Sequence, residues 1–458
     1  MFFTMKKLLT LSFVLALSAW GSVWAQVEDE NAVYNQYGVK VDREELISEQ
    51  RNNILTFESK NKEYRLWFDN RVQVDGALFF GNNEDYNKIG NNASIRRARF
   101  AVKARLPHNW YGEVDVDFAD GKFELKDAIV QFDGIPNVSI KAGNFKEDFS
   151  MEQTTSSRYL TFMERPMVCK ALVPSRHIGL QIAYLRNHFR ATGGVFFQTV
   201  AGEEELTYVQ DNNKDFGRNQ GYSFTGKIGY MPYAKDRSWG LYLGGKISYR
   251  TPKTDVATGE WGGERFSTRN ATSINRKKYL DTDVIKDVDH TLLYGLEGAA
   301  YYGPARIQSE WIRNSVDAAK NTYNFGGWYV HASCLLFGGK QRFNTAEGEF
   351  TQPQRGRKWG DIELAVRYDY LTLNNKDVYG GAGENFTVGL NYWVNNSVKI
   401  VLNYQYTNND RYANGKGKLF TGHDADGKPT ADYTKIVEGK GKGGVNYSML
   451  GLRLEVNF

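Results

Sequence analysis

Met449 to Phe458 reads M-L-G-L-R-L-E-V-N-F, a strict alternation that ends the chain on an aromatic residue. In an extended strand Leu450, Leu452, Leu454, Val456 and Phe458 point one way, and Gly451, Arg453, Glu455 and Asn457 point the other. Such a ribbon suits a wall with lipid on one side and water on the other, as in the closing strand of an outer-membrane barrel. The opposite end of the chain agrees. Lys6 and Lys7 precede an apolar run from Leu8 to Trp20, followed by the small-residue site Val23-Trp24-Ala25. This is the pattern of a cleavable secretory leader over residues 1–25, too short for a spanning helix of ~20 residues.

A mean hydropathy of −0.54 would ordinarily indicate a water-soluble chain. A barrel accounts for it, because half of every strand faces water while aromatic residues, here 14%, gather at the two interfaces. The 46 Gly, 28 Tyr and only 9 Pro favour strands and turns over helices. Two of the five net positive charges belong to the leader, so overall charge says little and the placement of charges matters. Cys169 and Cys334 are too few for a disulfide framework, and the parity of Cys334 with Trp328, Val330 and Ala332 puts it on the lipid face.

Residues 26–62 lack strand alternation and read as a periplasmic extension, with at most one or two helical turns between Asp42 and Gln50. From residue 63 to 458 the chain reads as an all-β transmembrane antiparallel β-barrel. Sixteen alternating segments fall near residues 64–80, 94–106, 110–119, 122–133, 137–143, 176–186, 189–200, 221–231, 238–250, 291–302, 304–314, 325–337, 357–372, 384–394, 397–407 and 445–458. Tight turns alternate with long connections, as both ends of a closed barrel on one side require. Two connections break the rule: Asp120-Gly121 is short where a loop is due, and 338–356 is long where a turn is due. A barrel of this size encloses water. The third loop, 144–175, carries Phe149, Leu160, Phe162 and Met163, more apolar content than a solvated loop needs, and is expected to fold into the lumen.

The charges that would line this lumen stand out in Ser94 to Leu106, S-I-R-R-A-R-F-A-V-K-A-R-L. Arg97, Arg99, Lys103 and Arg105 share one parity, and Phe100, Val102, Ala104 and Leu106 share the other, so the cations form a row on the water side. Arg96 falls on the lipid parity, near the strand's outer end, from where it could turn to the polar rim. Glu113, Asp115 and Asp117 on the next strand would pair with part of the row. The same parity puts Arg65, Asp69, Arg71, Lys141, Arg367 and Lys399 inside. Rows of Arg and Lys in a confined passage attract anions and offer successive weak sites. A general diffusion pore with mixed wall charges is the alternative reading, and a barrel enzyme or adhesin represents a different class. The chain has no G-x-S-x-G and no activated nucleophile, which argues against an enzyme. Its six His show no metal spacing, and no metal or cofactor is expected. Gly422 to Pro429, G-H-D-A-D-G-K-P, imitates a phosphate loop but has Pro429 in place of Ser or Thr. Nucleic acid is not an expected partner.

From Arg96 to Leu180 the chain also resembles the phosphate-selective porins O and P, through I-R-R-A-R-F, N-W-Y-G-E-V-D-V-D-F, L-K-D-A-I-V-Q-F-D-G and V-S-I-K-A-G-N-F-K-E-D-F-S-M-E-Q-T-T-S-S-R-Y-L-T-F-M-E-R. The resemblance implies a homotrimer of sixteen-stranded barrels, delivered by the barrel assembly machinery to the outer-membrane lipid. Each pore would pass phosphate, pyrophosphate or polyphosphate through a constriction formed by its third loop. It places the family's paired arginines on Arg96 and Arg97, and the loop motif on Thr155, Ser156, Ser157, Arg158, Glu164 and Arg165. Family lysines are replaced by Tyr111 and Gln153, while Lys126 stands at an acidic family position and Lys146 adds a cation early in the loop.

Overall fold

In the computed structural model, residues 32–81, 89–200, 221–236, 239–252, 262–270, 272–274, 278–409, 422–430, 432–437 and 446–458 are described. The expected leader, residues 1–25, and parts of the long connections lie outside them. The chain divides into Met1–Ile47 and Ser48–Phe458. In the first unit Val33–Tyr34 pairs with Lys40–Val41.

Among the described residues, sixteen long antiparallel strands form the barrel wall of the second unit, the last pairing with the first. They are β1 (Arg71–Phe80), β2 (Asn92–Leu106), β3 (Trp110–Asp117), β4 (Glu124–Ile135), β5 (Val138–Lys146), β6 (Arg176–Arg186), β7 (Phe189–Phe196) and β8 (Ser223–Asp236). The circuit continues with β9 (Trp239–Arg250), β10 (Val288–Tyr302), β11 (Ala305–Ala318), β12 (Thr322–Leu335), β13 (Asp361–Asn375), β14 (Val378–Trp393), β15 (Val398–Asn409) and β16 (Asn446–Asn457). A short strand, Arg65–Phe68, pairs with β2 in the register that β1 continues, so together they make one stave interrupted at Asp69 and Asn70. Asn70 and Phe458 exchange backbone hydrogen bonds of 2.8 and 3.2 Å, locking the seam at the turn end.

Alternation on β16 is as the sequence reading expects. Leu452 and Leu454 are about half exposed on the outer face, 51% and 47%, while Arg453 and Glu455 are 1% exposed inside. Outward aromatic pairs mark both ends of the apolar band: Trp110 with Phe132 and Phe189 with Tyr230 at the turn end, Phe118 with Phe123 at the loop end. Rings at these depths meet both acyl chains and headgroups. All sixteen expected segments correspond to strands.

Several details differ from expectation. The helical turns expected at Asp42–Gln50 are absent; Leu46–Arg51 is a strand. Ile54–Ser59 is also a strand and pairs with Arg65–Phe68, extending the meander. The loops expected at 315–324 and 373–383 shrink to tight connections, because β11–β12 and β13–β14 extend their ladders. The phosphate-loop imitation is a hairpin in which the Asp424 carboxylate accepts the Asp426 and Lys428 N–H groups, a self-contained Asx turn. Cys169 and Cys334 are unbridged.

Candidate pore and its constriction

The third loop, Glu147 to Ser175, folds inside the barrel and buries Phe149, Met151, Leu160, Phe162, Met163 and Met167 almost completely. Two short helices, α1 (Met151–Thr154) and α2 (Met167–Leu172), shape it. Ser150 caps α1 by accepting the Gln153 N–H at 3.2 Å. Arg165 closes the other end of α1, donating to the carbonyls of Glu152, Gln153 and Thr155 at 2.7, 3.2 and 2.6 Å. The wall then satisfies the loop's remaining backbone groups. Met151 and Glu152 N–H donate to Glu297 and Glu310, Met163 N–H to Asn403, and Met167 N–H to Asp369. Arg367 donates to Glu164 O at 2.7 Å, and Lys399 to Arg158 O and Leu160 O at 2.6 and 3.3 Å. Each such group left bare in the interior would cost ~1–3 kcal/mol. Two inward glycines make room: an added Cβ would lie 2.7 Å from Met163 at Gly451 and 3.1 Å from Phe162 at Gly389.

The loop therefore fills the β10–β16 side and leaves the passage against β1–β6. Two chambers line up there. The one toward the loop end, about 360 Å³, is lined by nine Arg or Lys side chains and three carboxylates among the described residues. The one toward the turn end, about 280 Å³, is lined by seven of each. They share Arg99, Lys146, Ser157 and Arg176, which thus mark the neck between them.

The predicted cations fall into three groups. Arg96, Arg97, Arg99, Lys126, Lys146 and Arg165 line the outer chamber, and Lys103 the inner one. Arg158, Arg367 and Lys399 hold the loop, Arg158 through Asp69 and Asn70 O. Arg105 is exposed near the turn end and lines neither chamber.

Arg96 corrects the parity argument. The register against β1 shifts between Gln73 and Val74, so Arg96 is the extra residue of a β-bulge and turns inward beside Arg97 to pair with Glu164. A second bulge, between Asp115 and Val116, makes Lys126 the extra residue of β4. Arg99 sits between Asp117 at 3.0 Å and Asp115 at 3.4 Å, and Lys103 between Asp69 and Glu113, each at 3.0 Å. Glu164 also meets Lys170 at 2.8 Å; burial alone would raise its carboxyl, but Arg96 and Lys170 hold it well below the usual range.

Sequence reasoning missed Arg176 and Lys170. Arg176 makes a two-pronged contact with Asp127, at 3.0 and 2.7 Å. It pairs across the ladder with Lys146 at the base of the third loop, where strand parity no longer decides direction. The long connection 336–360 was also not placed in the lumen. Its hairpin, Phe343–Asn344 against Glu349–Phe350, folds inward, with both rings packed on Tyr301. Arg190 donates to Ala346 O at 2.7 Å. Glu347 and Glu349 thereby reach the inner chamber. Burial raises the Glu349 carboxyl to about 7 against the opposing pull of Lys146.

Residues 69–426 match the family model for phosphate-selective porins O and P. The chain is a member of that porin family. The match covers most of the barrel, and the porin is thus a channel protein of the bacterial outer membrane, its loop end facing outward. Porin O of Pseudomonas aeruginosa is 23% identical over 408 residues, 79% of this chain and 87% of that one. An uncharacterized protein of Caulobacter vibrioides is 26% identical over 322 residues, which span 69% of the porin and 63% of the relative. Among solved structures, the anion-selective porin from Comamonas acidovorans superposes with a TM-score of 0.50 at 9% identity, over 86% of this chain and 100% of that one. At the two departures from the family pattern, Tyr111 donates its hydroxyl to Glu113 at 2.5 Å, and Gln153 lines the outer chamber.

Proposed function

We propose that this porin passes small anions, phosphate and oligophosphates among them, by drawing them into the outer chamber and through the neck at Arg99, Lys146 and Arg176. The observation that carries the reading is the neck itself: three cations and the Ser157 hydroxyl common to both chambers. Arg99 and Arg176 are tied to carboxylates, whereas Lys146 donates to the carbonyls of Thr154 and Thr155 at 2.9 and 3.3 Å. An anion passing there exchanges part of its hydration for fixed donors and meets no wall of like charge. The purified protein in a planar bilayer should show stepwise openings, with a reversal potential in a KCl gradient that indicates anion preference. Phosphate and pyrophosphate should block chloride current at lower concentration than sulfate; cation preference would overturn the reading.

A further inference from the structure

A second cavity of about 280 Å³ opens beside the outer chamber and shares Arg96, Asp120 and Lys170 with it. Its far wall is the inward-folded part of the β9–β10 connection. That segment is built in place: Ser267–Thr268 pairs with Leu280–Asp281, and Arg265 grips Asp281 at 2.8 and 2.6 Å. Phe266 packs on Phe325, and Gln405 donates to Asn270 O at 2.9 Å.

The lining divides into two chemistries. Arg96, Lys170, Arg269 and Lys278 supply positive charge; Asp120 is the one carboxylate among the described lining residues, and Glu164 behind the lining pairs with both Arg96 and Lys170. The rest of the polar lining is Ser94, Ser267, Thr268, Thr272 and Ser273. Thr268 is 3% exposed, and its hydroxyl, like that of Ser273, has no hydrogen-bond partner among the described residues. A buried hydroxyl with no partner costs free energy unless a ligand or solvent supplies one.

We infer that this cavity is a capture site for small hydroxylated organic phosphates, of the size of a sugar phosphate. The phosphate would sit among the four cations and the carbon-borne hydroxyls against the Ser and Thr wall, because neutral hydroxyls can both donate to and accept from a polyol. Inorganic phosphate would use the cationic half only. The volume is near the lower end for small-molecule sites and suits one phosphate on a short carbon skeleton. The inference rests on the anion-pore reading, since it supplies the substrate class for the same entrance.

The test compares block of chloride current by glucose 6-phosphate and by inorganic phosphate, added on the loop side, for the full mature porin and for a Thr268→Val, Ser273→Ala variant. In the unmodified porin glucose 6-phosphate should block at lower concentration than phosphate. In the variant its block should weaken roughly tenfold, the loss expected for two hydrogen bonds, with block by phosphate unchanged. Heat-modifiable gel mobility confirms that the variant barrel is folded, and Thr268→Ser, which keeps the hydroxyl, should retain the tight block. Equal block by the two ligands in the unmodified porin, or an unchanged preference in the variant, overturns the inference while anion preference in KCl stands. Cation preference in KCl would overturn the pore reading and this site with it.

Discussion

The two chambers are built on the same five or six strands, yet one is strongly cationic and the other balanced. The difference comes from how each charge reaches the lumen. In the outer chamber, bulges at Arg96 and Lys126 add cations that a regular strand would turn toward lipid, and the third loop contributes Arg165 and Lys170. The inner chamber instead receives carboxylates, from regular alternation at Glu113 and Asp115 and from the inward hairpin at Glu347 and Glu349. An arriving anion thus meets attraction first and near-neutrality after the neck, an arrangement that favours entry without a deep trap on the exit side.

Removing the neck should have the largest effect on this contrast. Lys146→Gln with Arg176→Gln takes two basic side chains from the junction of the two chambers, worth on the order of 1–2 kcal/mol to a passing anion at intermediate dielectric. The anion-to-cation permeability ratio from reversal potentials should fall about tenfold. Glu347→Gln with Glu349→Gln should move the same ratio up, by roughly threefold, because these charges are more distant and partly screened. A fall would show that the hairpin acts by holding the neck in shape and not by its charge.

Acidity offers a milder way to reach the same charges. Burial raises Glu349 to about 7, so it is charged at pH 8 and neutral at pH 6. Glu152, buried in α1 of the third loop, is also raised by burial to about 7. Both lose negative charge as pH falls, so anion preference should rise between pH 8 and pH 6. Reversal potentials measured across that window should show less than half the shift in Glu349→Gln; an identical shift would assign the effect to Glu152. Smallest of all, Arg105→Gln should leave the permeability ratio within about 20%, because the residue lies outside both chambers and exposed charges are screened over ~10 Å.

Where period-2 alternation governs, the sequence could be read directly. Sixteen staves, the inward row Arg97, Arg99 and Lys103, and the burial of the third loop all follow from which side of a ribbon is apolar. Parity alone does not place the residues where that rule is suspended; there the family resemblance put Arg96, Lys126 and Lys146 at the pore, while Arg176 was missed. Arg96 and Lys126 sit at bulges, which invert parity and leave no mark in a single sequence. Lys146 and Arg176 stand at the base of a loop. Arg367 and Lys399 were correctly placed inside, but their task as donors to loop carbonyls depends on the path of a segment some 200 residues away. The inward hairpin did leave a trace, an overlong connection with Phe343 and Phe350 at the tight-turn end. Its direction depends on Tyr242 and Tyr301, which only the closed barrel brings beside it.

The contrast between the chambers is tested most directly by locating bound anions in crystals of the porin soaked in bromide, using anomalous scattering. Peaks should lie in the outer chamber beside Arg96 and Arg97 and at the neck between Lys146 and Arg176, with none of comparable height in the inner chamber. Peaks concentrated around Arg71 and Lys103 would contradict the account.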